Sequence, residues 1–182
     1  MADIEYEIIT DQLEATNREL DFIQKYHPPL NGRKKGMKQY RFVTLSMIEK
    51  FPRARKRKTM DDENLLYLGP FPKNRHIQRV ISLAANYYEI ADCSLEIILG
   101  QSNRVVETCI RRQTKQCMRP CEIEVDSDKY AEAVAGFIRF FREEDDQLIK
   151  DLQADMTDAA KSQEFEKASQ LRDDLDAIKK VF

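Results

Sequence analysis

Cys109–Cys121, CIRRQTKQCMRPC, is the stretch on which the reading of this chain turns, together with Cys93 upstream. All four cysteines lie in this window, with 15, 7 and 3 residues between successive thiols. Thiols gathered so closely ask for a common explanation, and thiolates are the soft ligands that hold zinc or an iron–sulfur cluster. Cys93, Cys109, Cys117 and Cys121 are therefore the candidate metal ligands. Arg104, Arg111, Arg112, Lys115 and Arg119 are interleaved with them. These cations would offset the charge of a thiolate cluster or reach a phosphate backbone. The closing C-x-x-x-C, with Pro120 before the last Cys, is wider than the C-x-x-C of a zinc knuckle. The plainer reading is four buried or merely reduced thiols.

Outward from that window, the bulk composition sets limits. At 182 residues the chain has room for one domain and an appendage, or two small domains. With 34% charged residues, 5 glycines and no tryptophan, it reads as soluble and helix-rich. No apolar run approaches the roughly 20 residues that span a bilayer. The start, MADIEYEII, lacks the basic and apolar regions of a signal peptide. The expectation is a cytoplasmic protein without membrane contact, where thiols stay reduced and serve as ligands rather than disulfides.

The net charge of −2 hides a strong polarity along the chain. Arg33 to Lys58 holds eleven Lys or Arg against the single acid Glu49, whereas Glu143 to Phe182 holds twelve acids against six bases. A basic front and an acidic tail suggest a nucleic-acid surface and a protein contact. Arg33, Lys34, Lys35, Arg53, Arg55, Arg57, Arg111 and Arg112 are the candidate DNA-binding residues. A solvated loop and strand rim would produce the same basic run.

Local patterns place the elements. Ile4–Ile9 alternates as a short strand, and Thr10 or Asp11 caps a helix to about Tyr26, stopped by His27-Pro28-Pro29. QYRFVTLS alternates as a strand. In PRARKRKT, residues 52–59, a strand would point Arg53, Arg55 and Arg57 the same way, as a phosphate-tracking ridge. LLYLGPFP suggests a chain reversal at Gly69-Pro70. Lys73–Tyr88 reads as a helix, on which the lone His76 has no catalytic partner nearby in sequence. Beyond Cys121, Ser127 caps a helix carrying Tyr130, Val134, Phe137 and Phe141. Two further helices, broken at Ser162-Gln163, make an antiparallel hairpin. A hairpin with polar outer faces buries too little apolar area to stand alone, so it borrows a partner surface or packs on its own body.

Four blocks in order resemble the UvrC family, the bacterial excinuclease subunit that cuts on either side of a DNA lesion. They are YLGPFP at Tyr67–Pro72, the cysteine pattern with Pro120-Cys121, the Tyr130-Ala131-Glu132 helix, and FEKASQLRDDLDAIKKV at Phe165–Val181, which is similar to the UVR motif. The resemblance implies a 4Fe–4S cluster on the four cysteines, with zinc as the alternative by ligand count. It also implies that the hairpin docks on UvrB, through Phe165, Ala168, Leu171, Arg172 and Leu175. Residues 4–31 resemble the end of a GIY-YIG nuclease domain, in which Glu19 matches the metal-binding glutamate. A lone carboxylate cannot do that work without the activating tyrosine and the arginine.

The expected class is α+β, in three parts. Residues 1–66 form a partial GIY-YIG-like α/β front with the basic strands, 67–143 a Cys-rich, metal-binding helical middle, and 144–182 the UVR hairpin. The expected function is a DNA-contacting, UvrB-binding adaptor in nucleotide excision repair, without complete nuclease sites, which leans against enzyme activity of the isolated chain and leaves the question open. The alternative is half of a split GIY-YIG endonuclease, completed by a separate GIY-YIG fragment.

Overall fold

A computed structural model of the chain describes residues 6–9, 15, 18–19, 22, 40–72, 75–93, 109, 111, 114, 116–121 and 125–182. The expected strand at Ile4–Ile9 is not formed by 6–9, and the helix expected after it is seen at Ala15, Arg18, Glu19 and Phe22. The remainder of that front lies outside the described residues.

β1 (Tyr40–Ser46), rich in β-branched and aromatic residues, is the middle strand of a three-stranded antiparallel sheet. β2 (Arg55–Arg57) and β3 (Leu65–Pro72) are its edges. The register sets Thr44 between Arg55 and Tyr67, and Val43 between Lys56 and Leu68. Successive residues point to opposite faces, so Val43, Leu45 and Leu68 enter the main core. Phe42, Thr44 and Ser46 take the other face, where the Phe42 and Tyr67 rings meet edge to face at 6.0 Å. Expectation fails at two places in the sheet. β2 is three residues long and excludes Arg53. Gly69-Pro70 does not reverse the chain: β3 runs through it, with the pairing irregular between Arg41 and Val43. An edge strand tolerates a residue without an N–H where the ladder is already interrupted. Gly69 has φ +115, and a Cβ there would sit 2.8 Å from the Phe71 ring, so only glycine fits.

Four helices complete the fold: α1 (Ile77–Tyr87), α2 (Ser127–Phe141), α3 (Gln147–Lys161) and α4 (Phe165–Lys179). α1 buries Ile77, Val80, Ile81, Ala84 and Ala85, one stripe at helical spacing. α2 is capped by Asp126 rather than Ser127, its carboxylate accepting from the Asp128 and Lys129 N–H groups. It approaches the end of α1 at Gly136, where a Cβ would lie 2.7 Å from the Tyr88 ring. α1, α2 and α3 all end in the same motif, with Glu89, Glu143 and Gln163 at positive φ. The following N–H returns to a carbonyl one turn back in each case: Ile90 to Ala85, Glu144 to Arg139, Glu164 to Ala159. No glycine marks these stops, so the sequence showed them only as breaks in periodicity.

One continuous buried cluster includes Val43, Leu68, Val80, Phe137, Leu148, Leu175 and Val181, and so draws on residues to either side of both 66 and 143. The hairpin of α3 and α4 is thus seated at its root, where Leu148, Leu152, Leu175 and Ile178 are buried. Each such side chain contributes about 1.5–3 kcal/mol of burial. Arg79 on α1 donates to Asp174 on α4 at 2.6 Å, and the Tyr87 hydroxyl donates to Asp151 on α3. The far end of the hairpin leaves Phe165 69% exposed. No helix among the described residues is long and apolar enough to cross a membrane.

Candidate functional site

The thiol region is built against the end of α1. The Met118 N–H donates to the Glu89 carbonyl at 2.7 Å, which fastens the segment carrying Cys117 and Cys121 beside the one carrying Cys93. Arg111 completes the fastening by donating to Asp92, to Asn86 and to the Gln116 carbonyl. Asp92 in turn accepts from the Ser82 hydroxyl at 3.0 Å. Arg111 therefore turns inward, its side chain 17% exposed, instead of lying out on a DNA-facing surface. Two carboxylate and amide oxygens beside α1 hold it, and alternation in sequence could not reveal them.

All four cysteines are half-buried and free of disulfides. Burial pushes the Cys117 thiol up to about 11, against the Arg119 N–H bonded to its sulfur and the charge of Arg111. Cys93 and Cys121 lie close enough to add to that rise. As donors, four reduced thiols suit zinc or an iron–sulfur cluster. As placed they do not close a ligand set: among the described residues no three Cys, His, Asp or Glu are near enough to hold an ion.

On the outer sheet face, Arg53 is buried and gripped by Glu49, its Nε and Nη2 donating to the two carboxylate oxygens at 2.9 and 2.8 Å. That hydrogen bond holds its pKa above the ordinary value despite burial. Arg55 is exposed at the edge, and Arg57 is half-buried with Asp61 at 3.6 Å. All three nonetheless line one concavity, with Thr44, Ser46 and Asn64. The last three were missed in sequence, because only the pairing of β1 with β2 and β3 brings them beside the arginines. Arg33, Lys34, Lys35 and Arg112 lie outside the described residues. Glu19 is exposed.

The hairpin residues divide along their length. Phe165 and Arg172 are exposed, Ala168 and Leu171 are half-buried, and Leu175 is buried against the chain's own core. Leu175 is thus turned away from any partner, since the stripe it belongs to changes neighbours between the tip and the root.

A family model described as UvrC/Cho excinuclease, middle domain, matches residues 40–140. The chain belongs to this family. A second model, the UvrB/uvrC motif, matches residues 146–181, which are α3 and α4. Curated relatives named UvrABC system protein C agree with both. Those from Ruminiclostridium cellulolyticum and Clostridium novyi are 28% and 29% identical across 100% of this chain, which covers 29% of each. That of Streptomyces avermitilis is 28% identical over 99% of the chain and 26% of the relative. The chain thus spans less than a third of the length of the UvrC relatives it matches. No solved structure matches it. In family terms, the sheet, α1, the thiol region and α2 form the UvrC middle domain, and the seated hairpin is its UVR motif.

Proposed function

We propose that this chain serves nucleotide excision repair as an adaptor: its basic sheet face touches DNA, its hairpin tip binds UvrB, and Cys93, Cys109, Cys117 and Cys121 hold a metal centre. The observation that carries the reading is the hairpin itself. It matches the UvrB/uvrC motif over residues 146–181, and its root is locked into the core while Phe165 stays bare at the tip. An exposed phenyl ring beside half-buried Ala168 and Leu171 is the kind of apolar end that a second helical hairpin covers.

Binding of the purified chain to UvrB, and to the isolated C-terminal hairpin of UvrB, tests this. Phe165→Ala is expected to weaken the complex at least tenfold while leaving the fold intact, because the ring is mostly in water. Wild-type chain that fails to bind UvrB would sink the adaptor reading.

For the metal centre, a 4Fe–4S cluster is favoured over zinc by the family resemblance. When bound, such a cluster supplies one-electron chemistry and a cross-link between the segments bearing the thiols. Visible absorption and metal analysis of anaerobically prepared protein decide it. Broad absorbance with iron and sulfide is expected; a colourless zinc protein, or folded protein without metal, would overturn the assignment.

A further inference from the structure

The outer sheet face holds a concavity of about 180 Å³ that neither the thiols nor the hairpin uses. It is too small for a whole nucleotide, since pockets for ligands of that size run to roughly 300–1,000 Å³. Its floor is decided by register. Thr44 stands opposite Arg55 and Phe42 opposite Arg57, so both edge arginines rise from the same face of the sheet. Arg53 closes one wall. Glu49 takes its Nε and Nη2, while Nη1 is buried and has no hydrogen-bond partner. A guanidinium donor left in that condition is unusual, because buried polar groups are almost always paired. With its side chain only 7% exposed and held by Glu49, Arg53 is a fixed residue of the lining and not a waving surface one.

The charge around the cavity selects the ligand. Its lining holds three arginines against Glu49, which Arg53 grips, and Asp62, with Asp61 lying 3.6 Å from Arg57 at the edge. The Ser46 hydroxyl accepts from the Glu49 N–H and still has its own proton to give. An oxyanion with several acceptor oxygens suits this set, and arginine forks suit phosphate in particular. The rim says where the phosphate comes from. Met47 and Ile48 are 67% and 75% exposed beside the cavity, and free phosphate has no use for an apolar lip. A sugar–phosphate strand does, because its neighbouring sugar and base edges offer apolar surface.

We infer that the concavity between β1 and β2 is a socket for one backbone phosphate of a nucleic-acid strand, with Arg53, Arg55 and Arg57 as its donors and Met47–Ile48 resting on the adjoining nucleotide. This rests on the DNA-contacting reading above and specifies where one contact is made.

The test is fluorescence anisotropy of the full chain with labelled duplex and single-stranded DNA across a salt series. A neutralised phosphate contributes about 0.9 to the logarithmic salt slope on duplex and about 0.7 on single strands. Arg55→Gln, at an exposed edge position, is expected to lower the slope by about that amount and to weaken binding several-fold, alike for all sequences. Arg53→Lys keeps the charge but loses the two-pronged grip on Glu49 that fixes the wall, and is expected to weaken binding with little change in slope. Ile48→Ala should cost a smaller factor at unchanged slope, and Lys150→Gln on α3 should change nothing. Circular dichroism checks that each variant is folded. If the wild type binds DNA and Arg55→Gln leaves slope and affinity alone, the socket is wrong while the DNA-contacting reading survives. Absence of DNA binding by the wild type overturns both. Inorganic phosphate that protects Arg55 from guanidine-directed modification, in a chain that does not bind DNA, would assign the cavity to free anion and refute the strand.

Discussion

Tyr130→Phe deletes one oxygen and orphans two backbone groups. The Tyr130 side chain is fully buried on α2. Its hydroxyl donates to the Pro52 carbonyl at 2.8 Å and accepts from the Ala91 N–H at 3.0 Å. The same two segments are bonded directly, Ala54 N–H to Ala91 carbonyl at 2.8 Å, so the hydroxyl finishes a clasp between the chain before β2 and the chain just ahead of Cys93. Ala91 is 2% exposed, so no water replaces the lost acceptor. An unsatisfied buried donor costs about 1–3 kcal/mol, and the bond lost at the half-buried Pro52 adds about 0.5–1.5 kcal/mol. The retained ring keeps its 5.2 Å edge contact with Phe51, so no cavity contribution enters. The net expectation is a loss of about 2–4 kcal/mol, or a fall of roughly 4–16 °C in Tm at about 2–4 °C per kcal/mol for a chain of this size. Urea denaturation measures it, and the rate of Cys93 modification by a thiol reagent should rise as the clasp loosens. A loss below about 0.5 kcal/mol with unchanged Cys93 reactivity would mean that water or a backbone shift satisfies both groups and that the clasp holds nothing.

Leu175→Ala should cost about 2–5 kcal/mol of stability through the cavity it leaves under the hairpin root. Denaturation reads this, in contrast to Phe165→Ala, which should be nearly silent there. Gln163→Gly should stabilise by about 0.5–1 kcal/mol, because Gln163 holds φ 61 with a side chain that disfavours it. A thermal melt of that variant against Gln163→Ala checks the sign. Burial raises the hydroxyl pKa of Tyr87, Tyr88 and Tyr130, Tyr88 to about 12. A raised pKa means the neutral form is favoured in the fold, so this stability is whole below about pH 10 and drains away as pH climbs toward the folded values. Urea midpoints followed between pH 9 and 11 should fall, and less steeply in Tyr130→Phe.

Periodicity carried the local architecture well. The strand at Tyr40–Ser46 and the helices around Ile81, Phe137, Leu152 and Leu171 were all legible, because period 2 or 3.6 is written into neighbouring residues. Asp126 taking the cap from Ser127 moves a boundary by one residue and changes nothing beyond it. The candidate sites were legible as residue types and less so as surfaces. Arg53, Arg55 and Arg57 do share a concavity, yet Arg53 reaches it from a buried position held by Glu49. Arg111, read as a phosphate contact, is spent on Asp92 and Asn86.

What the amino-acid order determined by itself was therefore the central strand, the helices, the family and the spacing of the thiols, each a property of neighbouring residues along the chain. The tertiary structure alone decided which way each ambiguous side chain faces. A stripe of apolar residues on α4 says that something will cover it; only the seat against α1 settles that Leu175 is covered from within and Phe165 is left bare. Likewise a row of arginines comes to line one concavity only when Thr44 and Ser46 are brought alongside by strand pairing, a contact between separate strands that no local pattern encodes.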